Sequence, residues 1–155
     1  IFLIDLFVIA SGFVLRALAG LAIIDAPFSS WLFLAVFLAA FLLASGKRHA
    51  ELISRDTNES RAALTEFTPE FSLFVLYVAA GTLLVVYSLY TFFARQQEMM
   101  VTIPFAYYSV LRFSHLVLVD PTEQINELLF RRDMLANFFL WGVATLIILY
   151  VQVSI

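Results

Sequence analysis

The 155-residue sequence predicts an all-α, multi-pass membrane bundle of about five spans. Three observations carry that expectation: the apolar content, the length of the apolar blocks, and the placement of basic residues between them. Hydrophobic residues make up 63% of the chain and charged residues 14%, with a mean hydropathy of +0.95. Soluble proteins carry about 45–50% apolar and about 25% charged residues. A bilayer core of about 30 Å is crossed by roughly 20 apolar residues in a helix rising about 1.5 Å each. Several blocks reach that length. The net charge of −3 points to no particular partner, and no basic, aromatic-interleaved face suggests nucleic acid. Cysteine is absent, which excludes disulfides and thiolate ligands.

The first span is expected over about 1–24, ending at Asp25-Ala26-Pro27. It opens inside an apolar block, with neither a charged n-region nor a small-residue cleavage site, so it reads as part of a longer protein rather than as a signal peptide. The second span covers about 30–52 and carries its helix through Lys47, Arg48 and Glu51. A polar connection over about 53–68 follows. Thr68-Pro69-Glu70 is a helix start, with a capping hydroxyl, a proline in the first turn and an acid at the positive end of the dipole. It opens the third span, about 70–93. The fourth is expected as one helix over about 99–119. A short amphipathic piece starts at Asp120-Pro121-Thr122-Glu123, and the fifth span runs over about 135–155. The whole chain reads as a single transmembrane domain.

Orientation follows from the loops. The second-to-third connection holds Lys47, Arg48, Arg55 and Arg61, and the fourth-to-fifth holds Arg131 and Arg132; the other side has only Arg95. Six basic residues against one place the basic loops in the cytoplasm of a cell (inner) membrane protein.

Ionisable residues inside spans cost at least about 2.5–3.5 kcal/mol on insertion scales, so each is a functional candidate. Asp5, Gly12, Arg16 and Gly20 fall on one stripe of the first span. Glycines a turn either side of Arg16 suit the close approach of a backbone or an anionic ligand. An ion pair that only fixes packing fits Arg16 equally. Pro104, Tyr108, Arg112 and His115 share a face of the fourth span; Arg112 suits a lipid phosphate or simple snorkelling to the interface. No second histidine stands at zinc-ligand spacing from His115. Lys47, Arg48 and Glu51 share a face where the second span meets the cytoplasm. Two cations there suit a phosphate-bearing ligand, and Glu51 is a candidate magnesium carboxylate. A solvated basic helix end balanced by an acid is the plainer reading of the same spacing. No phosphate loop, HExxH or GxSxG motif is present.

DLFVIASGFVLRALAG (Asp5–Gly20) and SSWLFLAVFLAAFLLASGKRHAEL (Ser29–Leu52) resemble the UbiA-type prenyltransferase superfamily, most closely its decaprenyl-phosphate phosphoribosyltransferase branch. Pro121-Thr122-Glu123, Arg132-Asp133, Trp141 and Leu149-Tyr150 stand in family-like order. SGFVLRALAG and SGKRHAEL are the most specific parts. The resemblance implies the carboxy-terminal five helices of a nine-helix membrane enzyme. It also implies transfer of phosphoribose from 5-phosphoribosyl diphosphate to a polyprenyl phosphate, with magnesium, for cell wall biosynthesis. On this basis Lys47, Arg48, Arg16 and Arg112 contact substrate phosphate, and Glu51 contacts the metal. The family's first aspartate-rich motif is not in this sequence. The resemblance puts that motif in a missing amino-terminal half, without which the piece is inactive and its catalytic residues are unknown. Two alternatives stay open: prenyl transfer to an aromatic acceptor, and a non-enzymatic transporter fragment.

Overall fold

The computed structural model describes residues 2–25, 27, 29–54, 68–93, 97–120 and 125–154. These form an all-α bundle: α1 (Phe2–Ile23), α2 (Ser30–Ser54), α3 (Pro69–Phe93), a 3₁₀ turn (Gln97–Thr102), α4 (Ile103–Val119), α5 (Ile125–Leu129) and α6 (Arg132–Ser154). Five stretches are long and apolar enough to cross a bilayer: Leu3–Ile23, Ser30–Ile53, Pro69–Phe93, Glu98–Val119 and Arg132–Val151. The protein is a multi-pass membrane protein. Residues 55–67 of the expected polar connection lie outside the described residues, as do Ala26, Arg95 and Pro121-Thr122-Glu123.

The helix ends follow local chemistry. Asp25, at φ 50°, takes up the left-handed conformation that stops α1. The Leu32 N–H donates to Ser29 Oγ at 3.3 Å, capping α2. At the start of α3 the Phe71 N–H donates to Thr68 Oγ1 at 3.3 Å, with Pro69 in the first turn as the sequence predicts. The fourth span departs from the expected single helix. Pro104 has no N–H to donate and its ring crowds the preceding turn, so α4 begins at Ile103 behind a tighter 3₁₀ turn. The last span starts three residues earlier than expected, because Arg132 and Asp133 already lie within α6.

Packing is sequential around α2 and α3. Helix α2 lies against α1, α3 and α4; α3 lies against α4, and α4 against α6. The main core joins Leu42, Leu76, Leu84, Val110, Phe113, Val117 and Met134, and a smaller one joins Leu6, Ala44 and Val75. Alanines at 44, 79 and 80 let these helices approach closely. One polar tie crosses the core: Asn137 Nδ2 donates to Phe105 O at 2.9 Å and to Ser109 Oγ at 2.7 Å. Toward the far ends of α3 and α4, Trp141 Nε1 donates to Tyr87 OH at 3.2 Å, and that hydroxyl meets Thr102 Oγ1 at 2.7 Å. Between these ties, α2, α3, α4 and α6 enclose an apolar cleft of about 600 Å³. Outward faces carry Ile4, Val8, Leu15, Phe74, Phe139 and Leu146, the composition a bilayer solvates.

Candidate functional site

Alternating chain direction brings one end of each span together: the start of α1, the end of α2, the start of α3, the end of α4 and the start of α6. Most of the described ionisable side chains sit there. Arg48, in the penultimate turn of α2, is the hub. Its Nη1 donates to Glu51 Oε2 at 2.7 Å, one turn on. Its Nη2 donates to Asp5 Oδ2 of α1. All three side chains are about one-third exposed, so the cluster sits at the polar boundary rather than in the core. These two contacts use two of the five guanidinium N–H groups. Lys47 lies beside them, exposed. The structure thus brings together Arg48 and Glu51, as their spacing predicts, and leaves Lys47 exposed at the preceding position.

Arg16 is placed elsewhere. It lies eleven residues beyond Asp5 on α1, about 16 Å along the helix axis. It is exposed, and its guanidinium sits 5.4 Å from the centroid of the Phe13 ring. No atom outside α1 comes within 4 Å of a Cβ built at Gly12 or Gly20, so the glycine stripe carries no close helix approach among the described residues. Arg112 forms a second cluster. Its Nε donates to Asp133 Oδ2 at 2.5 Å, its Nη1 stands 3.2 Å from His115 Nδ1, and Tyr108 OH donates to the same Asp133 oxygen at 3.5 Å. A third pair joins Arg131 Nη1 to Asp120 Oδ2 at 2.9 Å.

Sequence reasoning missed two partners. Asp5 was grouped with Arg16 on its own helix, whereas its partner Arg48 lies 43 residues away. Asp133 carries a visible signal, an acid in the first turn of a span, but nothing local ties it to Arg112. That pair is testable. Asp133→Asn leaves Arg112 with a weaker acceptor near the membrane boundary and is expected to cost about 1–3 kcal/mol. Thermal unfolding of the solubilised protein reads the loss, and Arg112→Gln in the same background should recover part of it. An unchanged midpoint in Asp133→Asn would show that the pair adds nothing.

The described residues contain no group of three or more histidines and acids able to hold a metal ion by themselves. Glu51 and Asp5 offer two carboxylates, both held by Arg48. Such a set suits magnesium only in its common form, where one or two carboxylates share the ion with substrate phosphates and water.

No protein-family model matches the chain. It is similar to a decaprenyl-phosphate phosphoribosyltransferase of Mycolicibacterium smegmatis, with 34% identity over 90 residues, 57% of this chain and 28% of that protein. A protein of the same name from Corynebacterium glutamicum is 35% identical over 91 residues, 57% of this chain and 27% of its own length. One from Mycobacterium tuberculosis is 29% identical over 91 residues, 57% of this chain and 30% of its own length. The chain thus covers under a third of the length of the curated relatives it matches. The resemblance to the phosphoribosyltransferase branch, read from SGFVLRALAG and SGKRHAEL, is borne out by relatives that share that one name.

Proposed function

We propose that this chain is part of a membrane transferase that moves phosphoribose from 5-phosphoribosyl diphosphate to a polyprenyl phosphate. The similarity to three proteins named decaprenyl-phosphate phosphoribosyltransferase carries this reading. The Arg48 cluster supports it with chemistry suited to a donor bearing several phosphates. In the proposed arrangement the cluster faces the cytoplasm of the cell membrane, the side favoured by the basic loops. The wider roles go with the whole protein: magnesium dependence, both substrates, a place in cell wall biosynthesis, and acidic groups beyond this chain.

The proposed chemistry asks little covalent work of the protein. The free N–H groups of Arg48 bind a phosphate of the donor as a fork, and Lys47 adds a point charge. Asp5 and Glu51 hold the guanidinium plane at a fixed angle, so its orientation is set before the ligand arrives. Positive charge at Arg48 and Lys47 stabilises diphosphate as it leaves the anomeric carbon. Magnesium, held by the donor phosphates with Glu51 as a protein carboxylate, would supply further charge neutralisation there. The acceptor phosphate is already ionised and attacks without a strong general base. Arg112 stands in a separate cluster with Asp133, and Arg16 lies exposed on α1 beside Phe13; both are proposed at most as contacts to lipid phosphate.

The test uses membranes in which the whole protein carrying this chain is expressed. Labelled 5-phosphoribosyl diphosphate, magnesium and a polyprenyl phosphate are supplied, and label is sought in the lipid phase. Labelled lipid that vanishes with chelator is the expected result. Folded, inserted protein that labels no lipid, yet joins an isoprenyl diphosphate to an aromatic acceptor, would overturn the reading.

A further inference from the structure

His49 follows Lys47 and Arg48 directly but meets a different helix. A helix turns about 100° per residue, so Arg48 reaches α1 while His49 reaches α3. Only 2% of His49 is exposed. Its Nδ1 lies 3.2 Å from Ser72 Oγ, a residue with 0% exposure in the first turn of α3. Its Nε2 is buried and meets no partner among the described residues. An imidazole in an apolar helix seam is expensive to bury, and a hydrophobic side chain of similar size would pack there without that cost. Some compensating use is therefore required of it.

Position supplies one. The end of α2 is tied on one flank by Arg48 to Asp5 and on the other by His49 to Ser72. Two polar ties about 100° apart, to two different helices, help fix the rotation of the helix about its axis. With a single tie, only apolar packing against α1, α3 and α4 would resist a small roll of its last turns. A roll of some 20° moves a guanidinium about 6–7 Å from the axis by roughly 2 Å, enough to break a bidentate phosphate contact. The tautomer with its proton on Nδ1 donates to Ser72 Oγ and leaves only an acceptor lone pair unmet on Nε2, the less costly of the two arrangements. In that state the ring is neutral and adds no charge to the cluster.

We propose that His49 is a positioning residue: through Ser72 it sets the rotation of α2 and so holds Arg48 at the angle that binds the donor's phosphate. This rests on the phosphoribosyl transfer reading above. His49 itself touches no substrate. It acts on donor binding rather than on the acceptor or on the amount of folded enzyme.

The experiment is steady-state transfer by the whole protein in membranes, with donor and acceptor varied separately. His49→Leu and Ser72→Ala are each expected to raise KM for 5-phosphoribosyl diphosphate about five- to tenfold, the worth of one buried hydrogen bond. KM for the polyprenyl phosphate should stay within about twofold, and any fall in kcat should accompany the rise in donor KM, because Arg48 also stabilises the leaving diphosphate. His49→Asn, which keeps an N–H near the Nδ1 position, should restore KM to within about twofold of the native protein. In an Arg48→Lys background, adding His49→Leu should change KM less than about twofold, because the fork it positions is already gone. A lower kcat with unchanged KM, a failed rescue by His49→Asn, or full additivity with Arg48→Lys would overturn the proposal and leave His49 a packing residue. A native protein that labels no lipid would instead sink the transfer reading.

Discussion

Replacing Arg48 by alanine is expected to lower lipid labelling on the order of 100-fold in membranes containing the whole protein. The effect has two parts. The first is loss of charge-assisted hydrogen bonds to the donor's phosphate, each worth about 1.5–3 kcal/mol. The second is loss of the positive charge that pairs with Asp5 and Glu51. Carboxylate charge released beside a diphosphate site, that of Asp5 above all, repels the substrate and opposes the build-up of negative charge on the leaving group. Together these come to about 3 kcal/mol in transition-state stabilisation, and each 1.36 kcal/mol is about tenfold in rate. Arg48→Lys retains the charge but not the fork and should fall between, at roughly tenfold. Asp5→Asn in the Arg48→Ala background should recover part of the loss, since it removes one of the repelling charges. Labelling by Arg48→Ala within about threefold of the native protein, at equal protein level, would move the phosphate site away from the end of α2.

Much of the architecture was legible because the bilayer leaves few choices. Blocks of about 20 apolar residues become spanning helices, and Thr68-Pro69 marks a start that needs only its own hydroxyl and the Phe71 N–H. Thr102–Pro104 was legible in principle, since a proline inside an apolar run removes a backbone donor; length alone hid the break. The clusters were another matter. Periodicity showed that Asp5 and Arg16 share a stripe but not which part of the stripe another helix covers, and α2 meets only the Asp5 end. Arg48 and Glu51 were readable as a pair because they lie one turn apart. Arg48 with Asp5, Arg112 with Asp133 and His49 with Ser72 each depend on helices that only tertiary packing sets side by side.

Gly46→Leu is expected to be strongly destabilising, more so than leucine at any other described glycine. Gly46 lies where α2 crosses α4, and a Cβ built there would stand 2.9 Å from Phe113 Cζ, 3.1 Å from its Cε1 and 3.3 Å from Val117 Cγ2. Phe113 is 2% exposed and Val117 0%, both within the main core, so the ring can give way only toward the apolar cleft it lines. Even alanine forces the ring to shift, at a cost of about 1 kcal/mol. Leucine drives the two helices apart, at about 3 kcal/mol or a fall in unfolding midpoint on the order of 5–10 °C. Heating the solubilised whole protein and following the monodisperse fraction measures this. Phe113→Ala in the Gly46→Leu background should regain stability, because it empties the space the new side chain needs. Phe113→Ala alone should destabilise by leaving a cavity, so the two changes together must be better than their sum. The same substitution bears on function. Gly46 stands two residues before Arg48, so a displaced α2 carries the guanidinium away from Asp5, and transfer should fall in Gly46→Leu even at temperatures where the protein remains folded. Native-like melting of Gly46→Leu would mean that α2 and α4 do not touch at this point, and Arg48 would then lack the footing on which its role depends.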